Sequence, residues 1–117
     1  KRRGVWESYT FAMPQPCIVI ASFQPLPGKT HELIALIESV IPEVHQEEGC
    51  ELYALHQEVS GKLVMIEKWT TQAHWHVHNN APSVAALQAG LPGLIEGEIV
   101  VQEMYGNEVG DATKDRL

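Results

Sequence analysis

The chain has 117 residues, 44% of them hydrophobic and 20% charged, a globular rather than a disordered composition that suits one domain with one core. A formal net charge of −7 argues against a nucleic-acid backbone or an anionic membrane surface as partner and leaves a neutral, flat organic ligand open. No apolar run reaches the length of a membrane span. The basic start Lys1-Arg2-Arg3 leads into Gly-Val-Trp-Glu-Ser-Tyr rather than the apolar stretch of a signal peptide, so a cytoplasmic location is expected.

Residues 1–16 read as an N-terminal extension, because Pro14 and Pro16 break regular structure and no periodicity precedes them. Met13 is a candidate natural start, and Trp6, Tyr9 and Phe11 are candidates to pack on the domain or on a partner chain. The domain proper is expected over 17–106. Cys17 to Phe23 is an apolar, β-branched run between prolines, which predicts a central strand buried on both faces. After the turn Pro25-Leu26-Pro27-Gly28, Thr30 suits a helix N-cap and Glu32 its first turn. Leu33, Ile34, Leu36, Ile37, Val40, Ile41 and Val44 form the apolar stripe of that helix. Pro42 is expected to kink it or to start a second segment reaching Glu48, and Gly49 to end it in the left-handed conformation.

Cys50 to Glu58 predicts a second strand, with Tyr53 and Leu55 on one face and Leu52, Ala54 and His56 on the other. Ser60-Gly61 turns the chain into a third strand, Leu63 to Trp69. Leu63, Met65, Glu67 and Trp69 share one face of it, and Val64, Ile66 and Lys68 the other. Thr71 caps a short helix over about 72–79, and Pro82 opens another. Gly90, Pro92, Gly93 and Gly97 make an irregular link to a last strand over 98–105, and residues 107–117 read as a tail, mobile or docked on a partner. The order is that of an α+β, ferredoxin-like split βαβ with an antiparallel four-stranded sheet. Helices cover one face of such a sheet. The other remains apolar, so a homodimer through the uncovered face is expected.

The chemistry concentrates between Glu67 and the histidines C-terminal to it. A carboxylate within an apolar strand face is costly unless it is paired, and His74, His76 and His78 are the nearest partners in sequence. His78 is the candidate base or proton shuttle, with Glu67 the group that orients it; the same pair could equally pin the short helix to the sheet. Tyr53, Trp69, Trp75 and His74 are candidate substrate-binding residues. The aromatics would wall a pocket, or simply fill the core. His74 and His78 stand one turn apart and could hold a metal with Glu67, but no further ligand is evident and no metal is expected. Cys17 and Cys50 lack metal-type spacing and read as reduced and partly buried, His76 as solvated, and His56 as facing away from Tyr53.

The Pro-Gly-Lys before the first helix, Gly49-Cys50-Glu51-Leu52-Tyr53 entering the second strand, Glu67-Lys68-Trp69 closing the third and His78 in the next helix together resemble the antibiotic biosynthesis monooxygenase family, in its quinol-monooxygenase-like group. The resemblance spans roughly residues 17–105. It implies a dimeric α+β barrel with one pocket per subunit and oxidation of a quinol-like or polycyclic aromatic substrate by molecular oxygen without a cofactor. It also brings two alternatives, a non-catalytic dimeric binder of flat aromatics and a haem-binding or haem-degrading protein. The haem-degrading relatives use an asparagine on the first strand, and Ile18-Val19-Ile20-Ala21-Ser22-Phe23 has none.

Overall fold

The computed structural model describes residues 15–117. The expectations for Trp6, Tyr9, Phe11 and Met13 lie outside the described residues. The elements in chain order are β1 (Cys17–Phe23), α1 (Thr30–His45), β2 (Cys50–Gln57), β3 (Leu63–Trp69), α2 (Gln72–Asn79), α3 (Pro82–Gly90) and β4 (Val100–Met104). The strands pair antiparallel in the order β2-β3-β1-β4, which is the ferredoxin-like α+β arrangement.

β1 is central, between β3 and β4, as its apolar run implies. It is not enclosed on both faces. Cys17, Val19, Ala21 and Phe23 point towards the helices and are buried, whereas on the opposite face Ile18 is buried and Ile20 and Ser22 are half-buried. On β3 the buried residues are Leu63, Met65, Glu67 and Trp69, so the alternation read from the sequence holds and the helices lie on the Glu67 side.

α1 buries Leu33, Ile37, Val40 and Val44, a narrower stripe than expected, with Ile34, Leu36 and Ile41 at its margins. Two features of this helix differ from the sequence reading. Lys29, not Thr30, occupies the N-cap and makes no side-chain cap bond. The helix also runs unbroken through Pro42 and stops at His45. Pro42 lies on the exposed side, where the carbonyl it leaves without a donor, that of Glu38, can take water instead.

The turn 46–49 brings the chain into β2. Gly49 has φ +82°, and a Cβ there would run into the ring of His74, so both backbone and packing require glycine. Just beyond, the β2–β3 register shifts between Cys50 and Leu52. The ladder is in unbroken register from the hairpin turn, Gln57–Leu63, to Tyr53–Glu67, so Tyr53 stands opposite Glu67; the bulge lies beyond it and re-aligns Cys50 with Trp69. His45 Nε2–H donates to the Tyr53 carbonyl oxygen (3.0 Å), which ties the end of α1 to the same point of β2.

Thr71 caps α2, accepting from the His74 backbone N–H at 3.2 Å, and Pro82 stands in the first turn of α3. α3 approaches α1 closely at Gly90, where a Cβ would lie 2.6 Å from Leu36 Cδ1. The link after α3 folds back on the turn after β1 through Leu26 N–H to Leu94 O (2.9 Å) and Glu96 N–H to Gln24 O (2.8 Å). β4 pairs only with β1 and leaves Val100, Val101 and Met104 exposed. No helix among the described residues is long and apolar enough to cross a membrane.

The core rests on side chains such as Ile37, which is wholly enclosed. Ile37→Ala is expected to lower the urea-unfolding free energy by about 2–5 kcal/mol through the cavity it leaves. Val59→Ala, in the fully exposed hairpin turn, should change it by no more than about 0.5 kcal/mol.

Candidate active site

Two side chains of β3 and one of β2 form the floor. Residues two apart on a strand share a face, so the Trp69 indole reaches back to Glu67, and its Nε1–H donates to Oε1 at 2.9 Å. Trp69 is fully buried, Glu67 is 4% exposed and Tyr53 is 6% exposed. Tyr53 stands directly across from Glu67 in the ladder. Among the described residues, neither Glu67 Oε2 nor the Tyr53 hydroxyl has a hydrogen-bond partner.

α2 and α3 supply the roof. His78, 5% exposed, is the residue of α2 that turns inward. Its ring lies 4.6 Å from Trp69 at a tilt of 33° and meets Tyr53 edge-on at 5.5 Å. Its Nδ1 is 2.6 Å from Glu47 Oε1, and the other oxygen of Glu47 accepts from Ser83 Oγ at 2.5 Å. With Glu47 ionised, Nδ1–H is the donor, which leaves Nε2 with its lone pair free to accept a proton. Nε2 has no partner among the described residues.

The partner of His78 is therefore Glu47, not Glu67 as expected from the sequence. Glu67 is engaged by its own strand neighbour Trp69, while the turn 46–49 delivers Glu47 between α2 and α3. The two carboxyls meet different surroundings. Burial pushes the Glu67 carboxyl up to about 7; the negative charge of Glu47 adds to this and the Trp69 bond works against it. Burial, with Glu67 and Glu47 nearby, also holds the Tyr53 phenol well above its usual range, so it is a neutral donor. Burial and Glu103 push the Cys17 thiol up to about 11.

The remaining candidates fall into place around this centre. His74 is occupied on both sides of its ring: Nδ1 is 2.8 Å from Thr71 Oγ1 and Nε2 is 3.7 Å from Glu48. It anchors α2 to the turn 46–49 and is not joined to His78. Trp75 is half-buried against the core with His76 stacked on it at 5.4 Å, and His76 is exposed. His56 lies on the uncovered face, and both cysteines are free thiols. No group of three His, Cys, Asp or Glu side chains is gathered for a metal among the described residues.

A buried imidazole bonded to one carboxyl, a second carboxyl pushed up to about 7 and two buried aromatic rings are thus gathered at one place. The model of the family described as "Antibiotic biosynthesis monooxygenase" matches residues 16–90. The chain belongs to this family. It is 29% identical over 90 residues to "Putative monooxygenase Rv0793" of Mycobacterium tuberculosis, covering 76% of this chain and 89% of that protein. It is 30% identical over 87 residues to "Probable quinol monooxygenase YgiN" of Escherichia coli K12, covering 64% of this chain and 84% of that one. Among solved structures, Rv0793 superposes with a TM-score of 0.75 at 26% identity, over 82% of this chain and 99% of that one. PA3566 from Pseudomonas aeruginosa gives the same TM-score and identity, over 82% and 98%.

The matched span of this family member includes every residue of the centre, Glu47 and Ser83 among them. Sequence reading missed these two. Glu47 lies among helix-end glutamates that look solvated, and its partners are 31 and 36 residues away. The one available signal was the buried histidine's need for an acceptor.

The raised Glu67 carboxyl makes stability depend on pH. Both folded and unfolded chains hold the proton below about 4.5, so the contribution is fully present there. It is lost as pH rises through about 7, where the buried carboxyl must ionise. Relative to Glu67→Gln, wild type should therefore lose on the order of 3 kcal/mol between pH 4.5 and 8 in urea unfolding. A constant difference between the two proteins would show that Glu67 titrates normally.

Proposed function

We propose that this chain is a monooxygenase that oxidises a quinol-like or polycyclic phenolic substrate with molecular oxygen, and that it works as a homodimer. The observation that carries the reading is the 2.6 Å Glu47–His78 pair, which engages Nδ1 and supports Nε2 as the base, with the His78 ring 4.6 Å from Trp69. Membership in the family and the quinol monooxygenase name of one relative support the substrate class.

The chemistry starts from the proton. His78 Nε2 takes the hydroxyl proton of the substrate, and Glu47 stabilises the imidazolium that forms. The resulting anion is electron-rich and passes one electron to oxygen. The radical pair joins in a C–O bond, and O–O cleavage leaves one oxygen on the ring and releases the other as water. For a quinol the balance is quinol plus O2 giving hydroxyquinone plus water. The substrate supplies the electrons, so the reading requires no bound cofactor. Tyr53, Trp69 and Trp75 are the aromatic side chains that would hold the flat substrate. His74 keeps α2 in place on Gly49, a supporting role rather than a contact with the substrate.

The homodimer rests on the sheet. Ile18, Ile20, Leu52, Val64, Ile66, Val100 and Met104 share the face opposite the helices with Ser22, His56, Lys68 and Gln102, and its apolar part would be stabilised by a second copy.

Oxygen uptake by metal-free, flavin-free protein with a panel of reduced quinols and anthrones tests the reaction. His78→Ala should lower the rate by about 10²–10⁴-fold, the usual contribution of a general base. Glu47→Gln should lower it less, and move the pH profile. A His78→Ala rate equal to wild type removes His78 from the mechanism, and a panel without uptake shifts the reading to a ligand-binding protein. Light scattering should give twice the chain mass at micromolar concentration; a single-chain mass rejects the dimer.

A further inference from the structure

Glu67 is the buried group that a His78–Glu47 base leaves unused. Its surroundings explain what form it takes. One oxygen is held by Trp69 Nε1–H; the other has no hydrogen-bond partner among the described residues, and the side chain is more than nine-tenths buried. The ionisable groups that face it are Tyr53 and Cys50 from β2, Cys17 from β1, Glu47 from the turn after α1 and, through Trp69, His78 of α2. Glu103 of β4 lies further along the same row, across Val19. Among the described residues no lysine or arginine is paired with Glu67. The only cation in this set is His78, once it has taken the substrate's proton. A carboxyl so placed is disfavoured as an anion and favoured as an acid.

We propose that Glu67 works as a carboxylic acid whose free oxygen donates to the substrate, so that the site takes a planar aromatic carrying two conjugated oxygens. One is a hydroxyl facing His78 Nε2. The other is a carbonyl or developing oxyanion held by the Glu67 acid and the Tyr53 hydroxyl. This rests on the reading of His78 as the base. When the substrate O–H bond breaks and the N–H bond forms on His78, the negative charge spreads through the ring onto the second oxygen. There the Glu67 and Tyr53 donors stabilise it. Trp69 fixes both sides of the arrangement, holding Oε1 of Glu67 through its N–H and carrying His78 on its face. The order of roles is the reverse of what carboxylates usually do beside a histidine: the distant Glu47 is the anion that orients, and the neighbouring Glu67 is the acid that donates.

The test uses 2-hydroxyanthraquinone, an oxidised and therefore oxygen-inert probe whose hydroxyl is conjugated to a carbonyl across the ring, followed by its visible absorbance. Wild type should bind it with the anion band already present at pH 6. Its affinity should fall with rising pH more steeply than that of Glu67→Gln, by about tenfold per pH unit above about 7, where the acid ionises. Glu67→Gln, which keeps a donor N–H, should bind at pH 6 within about threefold of wild type. Glu67→Leu should bind at least about tenfold more weakly, the loss expected when a charge-linked hydrogen bond disappears. Loss of binding in Glu67→Gln at pH 6, an affinity that rises with pH through 7, or no binding by wild type overturns the proposal; circular dichroism of each variant separates these from unfolding. Anion binding as described, with no oxygen uptake on any quinol, would keep the acid at Glu67 and reject the oxygenase. Uptake with a flat pH dependence would do the opposite.

Discussion

The centre depends on the carboxylate of Glu47. It receives His78 Nδ1–H on one oxygen and the Ser83 hydroxyl on the other, and so joins the turn after α1 to α2 and α3. Charge-assisted bonds of this kind are stronger than neutral ones, and loss of either partner leaves a buried polar group unsatisfied. α2 has only eight residues and presents one buried side chain, His78, so it is too short to hold its place by helix formation alone. Its position comes from Thr71 at its start, His74 on Gly49 and His78 on Glu47. The same bond that places the helix also fixes which imidazole nitrogen is free. Structure and chemistry thus share one contact, and the choice between a structural and a catalytic His78 is not a choice between different geometries.

Glu47 and Glu67 show how environment divides one residue type into two roles. Glu47 has two donors and remains partly open to water. Glu67 has one donor, an indole N–H, within an apolar strand face. Burial therefore pushes Glu67 towards its neutral form, and the charge of Glu47 adds to that effect. The hairpin register completes the set, because its unbroken ladder from Gln57–Leu63 puts Tyr53 opposite Glu67 on the helix-covered face.

Much of the fold was legible. The strand alternation, the Thr71 cap, Pro82 opening α3 and the hairpin at Ser60-Gly61 are all written in neighbouring residues, and they appear where the sequence places them. Failures were local too: α1 continues through Pro42 because the carbonyl deprived of its donor faces solvent, a fact set by how the helix sits and not by proline's own preference. Within the site, Glu67, Trp69, Tyr53 and His78 were legible as a group, whereas their pairing was not.

The sequence by itself determined the element order, the face on which Glu67 and Trp69 lie, and the short helix that carries His78. These arise from periodicities of two and 3.6 residues and from caps one turn long, all of which act between neighbours. Only the tertiary structure decided that Glu47 rather than Glu67 bonds His78, and that Ser83 completes the carboxylate's shell. Those outcomes depend on where a turn and two short helices fall in space. Hydrogen bonds spanning 31 and 36 residues leave no trace in any local pattern.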